Sequence, residues 1–117
     1  MDIGLLPANL GNITAIAAGE DFDLALTTNG AVVAWGFNDS GQTNVPAGLS
    51  NVVAISAGDY HALALRSDGT VVAWGDNSAG QANVPPDLTN ALAIAAGSAF
   101  SLALRNDGTV EIGRAHV

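Results

Sequence analysis

Ser56, Asp59 and His61 are the residues of this chain whose types could carry acyl-transfer chemistry: a hydroxyl nucleophile, a carboxylate and an imidazole base. Their spacing works against a triad. On alternating strand geometry Ser56 and His61 belong to different strands, and no third group is placed to orient the imidazole. The expectation is a His61 packed in the fold and bonded to a turn, with a hydrolase as the rival reading. Glu20, Asp21 and Asp23 gather three carboxylates, and loops 37–41 and 76–80 offer oxygens of the kind calcium accepts. Neither loop has acids at alternate positions, a sixth-position glycine and a twelfth-position acid, so no metal site is expected. Asn and Asp in such loops bond their own backbone. Trp35 and Trp74 could stack on a base or a sugar. They occupy the same place in a repeat, however, and so are expected in the core.

Composition removes most other chemistry. Eleven acidic residues face three arginines and no lysine, giving a formal charge of −8. A phosphate-backbone binder needs clustered bases, so nucleic acid and anionic membrane surfaces are not expected partners. Without lysine there is no Walker-type phosphate loop and no Schiff base. Without cysteine there is no thiol catalysis, thiolate zinc site or disulfide. No cofactor is expected, and the chain is read as a non-enzyme. The first nine residues lack a basic start and a long apolar run, so they are not read as a signal peptide.

The elements that must position these residues repeat. Segments 10–48 and 49–87 align without a gap over 39 residues with 21 identities. A third copy, 88–110, matches the second at 14 of 23 positions. Leu6-Pro7 stands where Val45-Pro46 and Val84-Pro85 stand, so 1–9 reads as the end of an earlier unit. Each unit reads as three short strands, placed in the second copy at 52–57, 61–66 and 70–74. Ser67-Asp68-Gly69 is a hairpin turn in which glycine accepts a positive φ. Segment 91–104 is alanine-rich and has helix propensity, but Gly97, the Asp107-Gly108 turn and period-2 alternation favour strands. Alternation is expected to place Val53, Ile55, Leu63, Leu65, Val72 and Trp74 on one bulky face. Ala54, Ser56, Ala62, Ala64 and Ala73 would make the other, small face. Such sheets cannot bury a core alone and must stack on copies of themselves. Radial stacking of small antiparallel sheets is a β-propeller. The expected fold is therefore all-β: a β-propeller fragment of three-stranded antiparallel blades with a 39-residue repeat. Segment 111–117 departs from it, reading EIGRAHV where the repeat calls for V-A-W-G-x-N-x. Ile-Gly-Arg-Ala-His-Val is also one reading frame of a common sequencing adapter, so this tail is expected to be non-native.

The pattern A-G-x-x-H-x-L-A-L-x-x-D-G-T-V-x-x-W-G-x-N-x-x-G-Q, running from Ala57 to Gln81, resembles the repeat of the regulator-of-chromosome-condensation propeller family. The short unit and its Asn-Val-Pro ending look closer to a bacterial branch that includes a secreted β-lactamase-inhibitor propeller. The resemblance implies a closed ring, commonly of seven blades; this chain holds fewer than three complete ones. The family's histidine stands at His61, with Asp23 and Ser101 read as its counterparts. Secretion or display at the cell surface is implied by the resemblance alone. So are two functional alternatives, inhibition of a secreted enzyme and guanine-nucleotide exchange on a small GTPase. Positions that differ between units are free to serve function. They single out Glu20, Asp21, Phe22, Asp23, Asp59, Tyr60, His61 and Phe100 as a rim that binds an unidentified protein, with 37–40 and 76–79 as a second variable stretch. An incomplete ring leaves faces uncovered, so self-association that completes the ring is also expected.

Overall fold

Nine strands form three separate antiparallel sheets, each a meander of consecutive strands, in a computed structural model that describes residues 12–113. The first sheet holds β1 (Ile13–Ala18), β2 (Phe22–Thr27) and β3 (Val32–Gly36). The second holds β4 (Val52–Ala57), β5 (His61–Arg66) and β6 (Val71–Gly75). The third holds β7 (Ala91–Ala96), β8 (Ser101–Arg105) and β9 (Val110–Gly113). The alanine-rich 91–104 segment forms two strands. Ala91 and Ala103 pack in a small space beside Leu65 of the neighbouring sheet, and sheet pairing overrides the segment's helix propensity. Segment 1–9 and residues 114–117 lie outside the described residues. Within the tail, Gly113 still pairs with Ser101, as Trp74 pairs with Ala62 and Trp35 with Asp23.

The hairpin turn sets the faces, and it corrects the sequence expectation. Arg66 N–H donates to Thr70 O at 2.9 Å and Gly69 N–H to Arg66 O at 3.0 Å, with Gly69 at φ +85°. Asp68 Oδ1 accepts from both Thr70 N–H, 3.1 Å, and Thr70 Oγ1, 2.6 Å, which holds the Asp68 carboxyl below its usual pKa. This is a three-residue loop closed by glycine in the left-handed region. An odd loop pairs odd with odd and even with even positions: Leu63 faces Ala73, and Ala62 faces Trp74. Across β4 the register shifts between Val52 and Ala54, so Ile55 pairs with Ala64 and Ser56 with Leu63. Val53, the extra residue of this bulge, is 56% exposed.

No face is therefore uniformly bulky or uniformly small. One carries His61, Leu63 and Leu65 on the central strand, flanked by Ala54, Ser56 and Ala73: a ridge. The other carries Ala62 and Ala64 in the centre, flanked by Val52, Ile55, Val72 and Trp74: a groove. The ridge of one sheet fills the groove of the next. Phe22, Leu24 and Leu26 of the first sheet share a buried cluster with Val52, Ala62, Ala64 and Trp74 of the second. Leu65 of the second shares one with Ala91 and Ala103 of the third. The connections wedge into the outer side of each interface, with Val45 and Leu49 at the first and Val84 and Leu88 at the second.

Trp74 is the largest side chain in a groove. It is 7% exposed, and its indole N–H donates to Gln42 O, 2.9 Å away in the preceding connection. Trp35, at the equivalent place of the first sheet, is only half-buried. Trp74→Ala should lower stability by about 3–5 kcal/mol, read as a shift of the denaturant midpoint. A loss within about 0.5 kcal/mol, the range of ordinary surface substitutions, would mean that groove filling does not hold the sheets together.

Candidate functional site

Strand direction brings two variable stretches to one edge. β1 runs up to it, β2 starts from it and β3 returns to it, so the β1–β2 turns and the loops after β3 are neighbours. Phe37 N–H donates to Asp21 O and Asp76 N–H to Tyr60 O, each at 2.8 Å. Gly36 and Gly75 make this approach possible: they sit at φ +110° and +101°, and a Cβ on either would strike the facing turn backbone. The turns are also linked between sheets, by Glu20 N–H to Asp59 O at 3.1 Å, Asp59 N–H to Ser98 O at 3.3 Å, and Ser98 Oγ to Asp59 Oδ2 at 2.7 Å. The result is one continuous rim. Glu20, Asp21 and Asp39 are exposed on it, and Asp59 and Asp76 half-buried. Tyr60 and Phe37 are 39% and 46% exposed. Arg66 and Arg105, the arginines among the described residues, lie at the far ends of their strands, and Arg105 is paired with Glu111 at 3.3 Å. Sequence variation located Glu20, Asp21, Asp59 and Tyr60. Phe37 and Asp76 belong in sequence to a separate variable stretch, and nothing short of the sheet pairing shows that the two stretches meet.

Three of the expected rim residues are instead buried, Phe22 and His61 between sheets and Asp23 on the face of the first sheet that points away from the second. Phe22, Asp23 and His61 are 0%, 7% and 0% exposed. Phe100 is 40% exposed and lies in the turn just before β8, where its carbonyl accepts from Gly97 N–H at 2.8 Å. The strand register also corrects the repeat equivalence. Phe22, His61 and Phe100 occupy one position, each accepting at its carbonyl from the glycine three residues earlier, and Asp23, Ala62 and Ser101 occupy the next, in the groove.

His61 has a hydroxyl partner, and it is Ser101 of the next sheet rather than Ser56. Nε2 lies 2.9 Å from Ser101 Oγ, which in turn lies 2.7 Å from Gln81 O. The carbonyl can only accept, so the serine proton points to Gln81 and Nε2–H donates to Oγ. A general base needs the opposite polarity, a lone pair on Nε2 facing the hydroxyl. Among the described residues Nδ1 is buried with no hydrogen-bond partner. Ser56 Oγ accepts from Ala96 N–H at 3.0 Å, and Asp59 is engaged by Ser98. The pair is a latch between sheets. Gly58 leaves room for it: a Cβ there would collide with the imidazole and with Gly97 O. Among the described residues no group of three or more His, Cys, Asp and Glu side chains converges on a metal-sized site.

Burial holds the His61 pKa below its ordinary 6.5, outweighing the opposing effects of the Phe100 backbone and of the Asp76 and Asp59 charges. The folded state therefore resists a proton that the unfolded chain accepts. The associated stability is fully present above about pH 6.5 and is lost as pH falls below it. The wild type should lose more stability between pH 7.5 and 5.5 than His61→Phe/Ser101→Ala, which installs the Phe–Ala combination of the first interface. Equal losses in denaturant titrations would refute the assignment. Ser101→Ala alone, which strands Nε2–H and Gln81 O, should cost about 1–3 kcal/mol.

Sheet order and register also find counterparts among solved structures. The crystal structure of yeast RCC1 (Prp20) bound to Kap60 superimposes with a TM-score of 0.75 at 30% identity, covering 96% of this chain and 31% of that one. Prp20p from Saccharomyces cerevisiae, studied with its binding to Gsp1p and histones, gives 0.74 at 30%, covering 96% and 32%. Human WBSCR16 gives 0.73 at 20%, covering 92% and 34%, a likeness of fold alone. The chain thus spans about a third of the length of these proteins. No curated protein sequence matches it. Residues 13–42 and 52–81 each match the regulator of chromosome condensation (RCC1) repeat. With half its length in two such repeats and three blades stacked ridge to groove, the chain belongs to the RCC1 repeat family.

Proposed function

We propose that this chain is a non-catalytic module that binds a basic protein surface through its rim. The observation that carries the reading is charge segregation: Glu20, Asp21, Asp39, Asp59 and Asp76 share one edge with Tyr60 and Phe37, and the described arginines sit at the other. Carboxylates without neighbouring cations steer a basic partner, and exposed aromatic rings supply apolar contact once it has docked. Two similar structures, about 30% identical, are of a protein with protein partners, Kap60, Gsp1p and histones. Histones are basic and make a suitable probe.

A second reading, a guanine-nucleotide exchange platform, is favoured by the same neighbour's binding to Gsp1p. It predicts accelerated release of labelled GDP from a small GTPase on addition of the chain. Inhibition of a secreted enzyme such as a β-lactamase draws support from the family resemblance alone.

For the leading reading, immobilised histones should capture the chain at low salt and release it as salt rises. Glu20→Gln/Asp21→Asn/Asp59→Asn should weaken capture about tenfold, as loss of complementary charge does, and Tyr60→Ala should weaken it further. Asp87→Asn, at an exposed carboxylate near Arg105, should leave it unchanged. Equal capture by the rim variants, with circular dichroism intact, would overturn the proposal.

A further inference from the structure

The loops that follow β3 and β6 are built alike. Asn38 Nδ2 donates to Asn44 Oδ1 at 3.1 Å, and Asn77 Nδ2 to Asn83 Oδ1 at 2.8 Å. Thr43 N–H donates to Asn38 Oδ1 and Ala82 N–H to Asn77 Oδ1, each at 2.8 Å. Ser40 N–H donates to Gln42 Oε1 and Ala79 N–H to Gln81 Oε1, also at 2.8 Å. That last bond fixes which end of each glutamine amide is the donor. The loops differ at their first residue. Asp76 Oδ2 accepts from Gln81 Nε2 at 3.1 Å, and Asp76 Oδ1 from Ser78 N–H at 3.0 Å. Phe37 holds that place in the first loop and has no side-chain acceptor to offer. Gln42 is 0% exposed, and among the described residues its Nε2 is buried with no hydrogen-bond partner. A buried amide donor without an acceptor destabilises the fold. Burial of the Phe37 ring offsets little of that, since the residue is 46% exposed.

We infer that Phe37 is a stacking seat for an arginine side chain of the partner, an inference that rests on the basic-partner reading above. Phe37 strands a buried donor and leaves its own ring in water. A residue that breaks two packing rules at once marks a place where the surface serves binding. The chemistry around it selects the occupant. Asp21 O accepts from Phe37 N–H at 2.8 Å, Asp39 follows two residues on, and both aspartates are exposed. The face of an aromatic ring attracts a cation. A guanidinium lies flat on that face and still turns its N–H fork to a carboxylate. A lysine ammonium is a compact, strongly hydrated charge and has no plane to stack. Steering by the carboxylates is indifferent to which base arrives; the ring is the part of the rim that tells arginine from lysine.

Two synthetic peptides of equal length and charge separate this seat from charge steering, one alternating arginine with glycine and the other lysine with glycine. In fluorescence-anisotropy titrations the full chain should bind the arginine peptide about threefold more tightly than the lysine peptide, or better. Phe37→Leu keeps an apolar side chain without a ring face, and Phe37→Asn offers Gln42 Nε2 an acceptor without adding charge. Both should bring the two peptides to parity. Phe37→Asn should also raise the denaturant midpoint, which Phe37→Leu should not. Equal binding of the two peptides by the wild type would overturn the inference and leave the basic-partner reading standing. Binding of neither peptide would overturn both. An arginine preference that survives Phe37→Leu would overturn the inference by placing the selectivity elsewhere. So would a midpoint that Phe37→Asn does not raise, because Phe37 would then displace no stabilising bond.

Discussion

The seating of a leucine ridge in an alanine groove is the contact on which the rest of this structure depends. A three-stranded sheet of five- and six-residue strands has too little surface to bury a core of its own. Here the central strand presents Leu24 and Leu26, or Leu63 and Leu65, on one face; the other carries Ala25 between Asp23 and Thr27 in the first sheet, and Ala62 and Ala64 in the second. Those alanines are small so that the neighbour's leucines can reach the sheet, and Trp74 and Ile55 wall the groove that receives them. Alanine at 62 and 64 is thus a steric requirement, and both residues are fully buried.

Polar groups that lie in these interfaces are drawn into the same contact. The connection between sheets places a backbone carbonyl at the rim of each groove. Gln42 O is met by the indole N–H of Trp74. At the third sheet, where Gly113 stands in place of tryptophan, Gln81 O is met by Ser101. The same need is satisfied from two different strands, and in the second case the serine also accepts from His61. A histidine with nucleophile and acid nearby in sequence is thereby turned to structural use, with its proton directed away from the polarity that catalysis requires.

With the core residues committed to stacking, the freedom to vary falls to the edge where β1–β2 turns and post-β3 loops converge. Their backbones are tied to one another within and between sheets. The side chains at the rim are thus carried on a rigid support, which suits recognition of a protein surface. Charge follows the same division: among the described residues this edge carries acids and no arginine, and Arg105 is paired with Asp87 and Glu111 on the other.

Much of this was legible in the residues alone. The 39-residue period, the three strands per unit and the Asp-Gly turns follow from identities, alternation and the backbone freedom of Gly69, because these are local properties. The rim positions Glu20, Asp21, Asp59 and Tyr60 followed from variation between units. Face assignment was not legible. It depends on whether a loop holds two residues or three and on one extra residue at Val53, and either change flips a strand's side chains to the opposite face. That is why Leu63 and Trp74, expected together, lie on opposite faces. Nor could the sequence show that Phe22 and His61 leave the rim for the sheet interfaces and Asp23 for the first sheet's other face, or that His61 meets Ser101, 40 positions away. Repetition establishes that sheets must stack; only stacking in three dimensions decides which side chain each one meets.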